Sequence, residues 1–471
     1  MVNHMQSTAL SQSQETVLST VLDKYPKVKP IISRIIESGG RAYLVGGAVR
    51  DLLMGVDIKD LDIEVHDMTP HALGSVLKEF GSVSMVGKAF GVWRIHGLDI
   101  DWSLPRVDAA GRKPVVALDP YMGIKQACAR RDLTINALAI DLGTHKLIDP
   151  FGGQEDIKRG ILRSPDIQFF TQDPLRFYRV MQFISRFSMY PDEELNKQCA
   201  SMDISAVSRE RIETEFEKML LRSEYPSRGI RWLKEIGRLK EVLPELYAVI
   251  GVEQGLNYHP EGDVFEHTMQ TLDAAARVKY ECQEDRLVLL LAALCHDLGK
   301  VSTTTSVNGV IKSHGHDVAG EKLTKKMLGR IMGRKERIAA AAKLVRWHMA
   351  PLQFIKDGAK SSAYKRLALK LAPHANLQML TDLFRADKQG RNPARNVPLT
   401  GPCPEATQYM EHAIKAGVLT KKEEPIVQGR DLMAFIKPGP HMGDLVKRAY
   451  AIQLDEGIKD KDTLLQRVLK K

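Results

Sequence analysis

The chain has 471 residues, 44% of them hydrophobic, and a formal net charge of +10 with a pI near 9.2. That length and apolar content exclude a disordered chain and a single small domain, and predict about two to four packed domains. The basic balance favours an acidic partner such as nucleic acid, and no apolar run reaches the roughly 18 residues of a membrane helix. Five cysteines (128, 199, 282, 295 and 403) are scattered without CxxC pairs. This argues against a disulfide framework or zinc finger and fits a reducing, cytoplasmic setting.

Residues 1–37, including STALSQSQETVLST, hold neither an apolar signal core nor a basic presequence, and are expected to be a polar N-terminal extension. Between 38 and 160, RAYLVGG, LDIEV, SVSMVG and GVWRIHGLDIDW predict strands, with helices at GGAVRDLLMG and TPHALGSVLKEF. Beyond about 165 the strand signal fades, and RERIETEFEKMLL and RLVLLLAALCHDLG carry helical spacing. A helical neck is expected over 161–250 and a second helical domain over 251–390. The proline-rich run RNPARNVPLTGPCPEA predicts a linker at 391–405, and a basic helical tail fills 406–471. There is no internal repeat. The fold class is α+β: a head with a small mixed sheet, then a mostly α-helical body.

Two stretches carry chemistry in the head. In KDLDIEV the strand period puts Asp60, Asp62 and Glu64 on one face and Leu61, Ile63 and Val65 on the other. Alternate carboxylates roughly 6–7 Å apart can converge on divalent cations about 3.5–4 Å apart, as two-metal phosphoryl transfer requires. An isolated DxD is more often a solvated acidic face. Here LVGGAVRD precedes it: Gly46–Gly47 at a strand-to-helix turn lets backbone N–H groups approach a phosphate, and Arg50 offers a guanidinium fork.

LVGGAVRD…KDLDIEV resembles the head of the class II tRNA nucleotidyltransferases, the CCA-adding enzymes and their bacterial poly(A) polymerase relatives. ARRDLTINALAID (129–141), LIDPFGG (147–153) and QDPLRFYRV (172–180) are similar to the family's further blocks and stand in its order. The resemblance implies a polymerase-β-like head in which Asp60 and Asp62 hold Mg²⁺. It also implies that Gly47, Arg50, Arg131, Asp173, Arg176 and Arg179 bind the nucleotide. Cytosine and adenine each show an amino donor beside a ring-nitrogen acceptor, so a carboxylate next to a guanidinium complements both. Asp173 and Arg176, at i and i+3 on an expected helix, supply that pair. The family's glutamate before the aspartate is Gln172 here, and its arginine beyond Arg179 is Gln182. Asp99 and Asp101 are either a third catalytic acid or strand-edge charges.

Six of the fourteen histidines fall within 259–348. His267 sits in DVFEHTMQTL, His296–Asp297 ends a long apolar run with Gly299 expected to stop that helix, and His314, His316, His348 and Asp387 follow. This pattern resembles the HD phosphohydrolases. The resemblance implies His267, His296, Asp297 and Asp387 as ligands, with His316 and His348 binding a second cation or the phosphate. Imidazole with carboxylate suits Mn²⁺ or Ni²⁺, or Mg²⁺ more weakly. It further implies 2′,3′-cyclic phosphodiesterase, 2′-nucleotidase and phosphatase activity.

The combined expectation is an enzyme that adds C, C and A to the 3′ end of tRNA from CTP and ATP, with no membrane association and an open oligomeric state. The alternatives are a poly(A) polymerase or CC-only or A-only enzyme, a phosphohydrolase whose head only binds nucleotide, and an RNA-binding regulator without chemistry. In the tail, KPGP precedes a basic helix in QGRDLMAFIKPGPHMGDLVKRAYAIQL, which suits either an RNA phosphate contact or packing on the body.

Overall fold

The computed structural model describes residues 7–86, 91–108, 116–394 and 396–470. Residues 1–6 of the expected extension, Gly87 of the expected SVSMVG strand and Arg395 of the expected linker lie outside the described residues. The chain forms two compact units, Met1–Val207 and Ser208–Lys471.

The first unit is built on an eight-stranded mixed sheet. Its order is Ser7–Ala9, Lys146–Ile148, Ala139–Asp141, Arg41–Val45, Leu61–His66, Ile100–Ser103, Val92–Ile95 and Val83–Val86. Leu61–His66 runs parallel to Ile100–Ser103 and antiparallel to Arg41–Val45. The strand alternation decides the faces: Leu61, Ile63 and Val65 are buried, Asp62 is exposed and Glu64 half-buried. Ile31, Ile35, Leu44, Ile63, Leu73 and Leu77 share one apolar core under the helices Val28–Glu37 and Pro70–Lys78.

Residues 7–37 are not a polar extension. Ser7–Ala9 pairs with Lys146–Ile148 as an edge strand, and Gln12–Asp23 and Val28–Glu37 are helices of the head. The physical reason is spacing: Leu18, Val21 and Leu22, then Val28, Ile31, Ile32 and Ile35, recur at helical intervals and enter the core. The polar residues between them face water, and Ser11 with Gln14 closes a capping box.

The head also extends past 160. Strand Ile161–Leu162 pairs with Tyr190–Pro191, and Thr134 N–H donates to the Arg163 carbonyl at 2.8 Å, so the helices Leu175–Phe187 and Glu193–Ser201 belong to the first unit. The boundary falls at 207, inside the expected neck.

The second unit is helical. Gln283–Cys295 is buried on every side from Leu287 to Cys295, which is why its pattern lacks a polar stripe. It lies among Val264–Ala276, His316–Ile331, Lys335–Trp347 and Leu377–Gln389. The proline-rich run is lashed to Val264–Ala276 and is no free spacer. Gln270 exchanges two 3.0 Å bonds with the Asn392 backbone, Asn396 N–H donates to Glu266 Oε1, and Arg277 donates to the Leu399 carbonyl. Pro440–Glu456 and Lys461–Leu469 close a small core of Leu445, Ala449, Leu464 and Val468. Among the described residues no helix is long and apolar enough to cross a membrane.

Candidate active sites

In the first unit, Gly46 ends strand Arg41–Val45 and caps the helix Gly47–Leu53 with φ 68°, a left-handed conformation suited to glycine. Register places this turn beside the acids, with Gly46 two residues beyond the Leu44–Ile63 pair. A Cβ on Gly46 would lie 2.7 Å from Arg131 Nη1, so the guanidinium rests directly on the glycine. Arg131 Nη2 is also 3.5 Å from Glu64 Oε2. Glu64 in turn bonds His66 at 3.0 Å. Asp60, Asp62, Gly46, Gly47 and Arg131 thus gather at one end of one strand pair.

Although the Asp62 side chain reaches solvent, the protein packed around it removes enough water to raise its carboxyl above the ordinary value; Arg131 opposes this, and Asp101 and Asp60 add to it. Like charge concentrated against the protein interior fits a divalent cation, which would relieve the repulsion. Asp101 sits beside Asp62 in register but is held in a two-bond pair with Arg94. Asp99 lies exposed just before its strand.

The remaining expected residues form a braced layer behind this edge. Arg50 is 5% exposed: it donates to Asp51 Oδ1 at 2.9 and 2.6 Å and to Asn136 Oδ1 at 2.6 Å, and stacks 4.6 Å from Phe187. It does not offer a free fork. Asn136 Nδ2 donates to Asp132 Oδ1 at 2.9 Å, and Arg179 Nε donates to Asp132 Oδ2 at 2.6 Å. Despite burial, Arg179 and Asn136 hold Asp132 down at about 2. Asp132, Asn136 and Asp51, not singled out from the sequence, are therefore what ties the GGAVRD and RRDLTINA blocks to the Leu175–Phe187 helix. They stood inside the quoted blocks; their partners did not.

The helix expected to select the nucleotide begins at Leu175, so Asp173 precedes it, accepting from Leu175 N–H at 3.1 Å. This corrects the expected placement of Asp173 on the helix; Pro174 takes the cap position between them. Arg176 directs Nη1 to the Phe169 carbonyl and Nη2 to the Arg130 carbonyl at 2.6 Å. Gln172 ends the short helix Ile167–Thr171. Gln182 is buried, and among the described residues its Nε2 has no hydrogen-bond partner.

In the second unit, five helices deliver one polar cluster. His267 Nε2 lies 3.1 Å from Asp387 Oδ1 and 3.2 Å from His296 Nε2. The ligand atoms of His267, His296 and Asp387 all fall within 4.8 Å of one another, as do those of Asp297, His316 and His348. Asp297 joins the two groups. Its Oδ2 is 3.3 Å from His296 Nε2 and 3.6 Å from His267 Nε2; its Oδ1 is 3.5 Å from His316 and 3.9 Å from His348. The Lys300 ammonium is 2.7 Å from the same Oδ2. Buried imidazoles and carboxylates drawn into two groups that meet at Asp297 fit bound transition cations.

Burial opposes both acids, but Lys300 and His296 hold Asp297, and Arg391 and His267 hold Asp387, well below the carboxylate range. Burial and His316 push His348 down to about 3, which keeps its ring neutral and able to ligate. Gly299 does not stop its helix in the left-handed form; it starts the next turn with φ −66°. A Cβ there would meet the His316 carbonyl oxygen at 1.9 Å and Gly320 N at 2.6 Å. The glycine is needed so that the His316 helix can pass.

Residues 42–163 match the Poly A polymerase head domain, 193–249 the probable RNA and SrmB-binding site of polymerase A, and 264–387 the HD domain. A multifunctional CCA protein of Neisseria meningitidis serogroup A is 37% identical over 319 residues, covering 66% of this chain and 72% of that protein. One from Halorhodospira halophila is 31% identical over 433 residues, covering 86% and 94%. Among solved structures, the Bacillus stearothermophilus CCA-adding enzyme in complex with CTP has a TM-score of 0.63 at 21% identity, covering 94% of this chain and 97% of that one. The Thermotoga maritima CCA-adding enzyme complexed with tRNA has a TM-score of 0.57 at 21% identity, covering 97% and 98%. These two likenesses bear on the fold.

Proposed function

Since this chain belongs to the family of the multifunctional CCA proteins, we propose that its head is a tRNA nucleotidyltransferase that adds C, C and A from CTP and ATP. The observation that best supports this is the gathering of Asp60, Asp62, the Gly46–Gly47 turn and Arg131 at one sheet edge. Asp60 and Asp62 would hold Mg²⁺, which when bound stabilises charge on the reacting phosphates. The tRNA 3′ oxygen bonds to the α-phosphorus, the α–β phosphoanhydride breaks, and pyrophosphate leaves. Arg131 is placed to steady the triphosphate beside the acids. The Asp132–Asn136–Arg50 layer keeps Arg179 in place, and Asp173 with Arg176 selects cytosine and adenine. A tRNA substrate implies a cytoplasmic setting.

The second unit is read as a phosphohydrolase within 251–390. His267, His296 and Asp387 would hold one Mn²⁺ or Ni²⁺ ion, and His316 with His348 a second, with Asp297 between them. When bound, such a pair polarises the phosphoryl oxygen and activates water. Residues 406–471 are assigned to RNA contact.

Purified protein is incubated with tRNA lacking its 3′ end and each nucleotide singly, then with CTP and ATP together, and separately with 2′,3′-cyclic AMP. CC then A addition that disappears in Asp60→Ala, with hydrolysis that disappears only in His296→Ala, supports the assignment. Unlimited adenylation of any RNA makes the head a poly(A) polymerase, and nucleotide addition that survives Asp60→Ala removes the acid pair from the mechanism.

A further inference from the structure

Glu261 lies before the first helix of the HD unit and is fully buried. A buried carboxylate needs partners, and among the described residues its Oε1 lies 2.8 Å from His267 Nδ1 and 2.9 Å from His259 Nδ1. An ionised carboxylate only accepts hydrogen bonds, so both Nδ1 atoms carry their protons. The consequence differs for the two rings. In His267 the proton is fixed on the side away from the cluster, and Nε2 faces His296 Nε2, Asp387 Oδ1 and Asp297 Oδ2 at 3.2, 3.1 and 3.6 Å. His259 packs edge-on against His267, with ring centroids 4.7 Å apart, and its hydrogen bond holds the same oxygen of Glu261.

We propose that Glu261 is the positioning residue of this centre. It locks His267 in the Nδ1–H tautomer so that Nε2 presents its lone pair to a divalent cation, and His259 holds Glu261 in that orientation. The Gly390 carbonyl also reaches His267 Nδ1, at 3.2 Å, but it is longer and uncharged, so Glu261 is the stronger acceptor. The assignment rests on the reading of the HD unit as a metal centre.

The test uses full-length protein stripped with chelator and titrated with Mn²⁺ by calorimetry and with Co²⁺ by visible absorption. Wild type should bind both. Glu261→Gln should weaken Mn²⁺ binding at one site about 10- to 100-fold and shift the Co²⁺ band, a spectral change that a loss of stability alone would not produce. His259→Phe should weaken binding in the same direction by a smaller factor. The double variant should bind no more weakly than Glu261→Gln alone, because His259 acts only through Glu261.

Unchanged affinity and spectrum in Glu261→Gln, or losses that add in the double variant, overturn the proposal. If Glu261→Gln does not fold, His259→Phe decides: unaltered affinity overturns it, weakened affinity with a shifted Co²⁺ band upholds it. Wild type that binds neither cation overturns the metal-centre reading itself, and this proposal with it.

Discussion

Asp132→Asn tests how the nucleotide side of the head is held. The carboxylate accepts from Arg179 Nε at 2.6 Å, Asn136 Nδ2 at 2.9 Å and its neighbour Leu133 N–H at 2.9 Å. Its folded pKa of about 2 against an ordinary 3.8 corresponds to about 2.5 kcal/mol of stabilisation in the ionised form. Because the folded value is depressed, that stabilisation is present above about pH 4 and is lost as pH falls through about 2. Asparagine keeps the shape but loses the charge, and one of its terminal atoms becomes a donor facing Arg179 or Asn136. The first unit should therefore lose about 2–3 kcal/mol at pH 7, a drop of roughly 5–10 °C in its unfolding midpoint. The difference from wild type should shrink towards pH 3. With Arg179 released, KM for CTP and ATP should rise while kcat falls less. Urea denaturation at both pH values, with steady-state CTP and ATP incorporation, measures these. Equal stability at pH 7 together with an unchanged KM would refute the reasoning.

Arg50→Lys replaces two bonds to Asp51, one to Asn136 and a stack on Phe187 with a single point charge. It should cost about 1–3 kcal/mol, read as a lower thermal midpoint with a raised KM for both nucleotides. Gly299→Ala pushes a methyl into the His316 carbonyl and should destabilise the second unit by about 1–3 kcal/mol, abolishing phosphoester hydrolysis while CCA addition continues. Burial raises the Asp273 carboxyl to about 7 against the hydrogen bonds from Ser227. Its folded pKa lies above the unfolded value, so stability should be greatest below about pH 4 and decline as pH rises to about 7. Asp273→Asn should flatten that slope in denaturation measured from pH 4 to 8.

What could be read from the sequence follows from the range of each signal. Strand alternation in LDIEV and the acids on its outer face are local, and the same period placed them in the fold. The histidine excess was visible because these residues cluster in composition even when their helices are separate. Residues 7–37 failed for the opposite reason: helical spacing was present at Leu18, Val21 and Leu22, but it was diluted by serine and glutamine that face water. The braces of both sites lay beyond any local pattern. Arg50 meets Asn136 across 86 residues, Arg179 meets Asp132 across 47, and His267 accepts help from Glu261 only because the chain turns back before the helix begins. Gly299 shows the same limit in another form. Its position after an apolar run suggested a helix stop, whereas the constraint comes from the His316 backbone passing overhead. A residue that acts on a ligand can be inferred from its own chemistry. One that acts on another residue can be inferred only when the path of the chain between them is known.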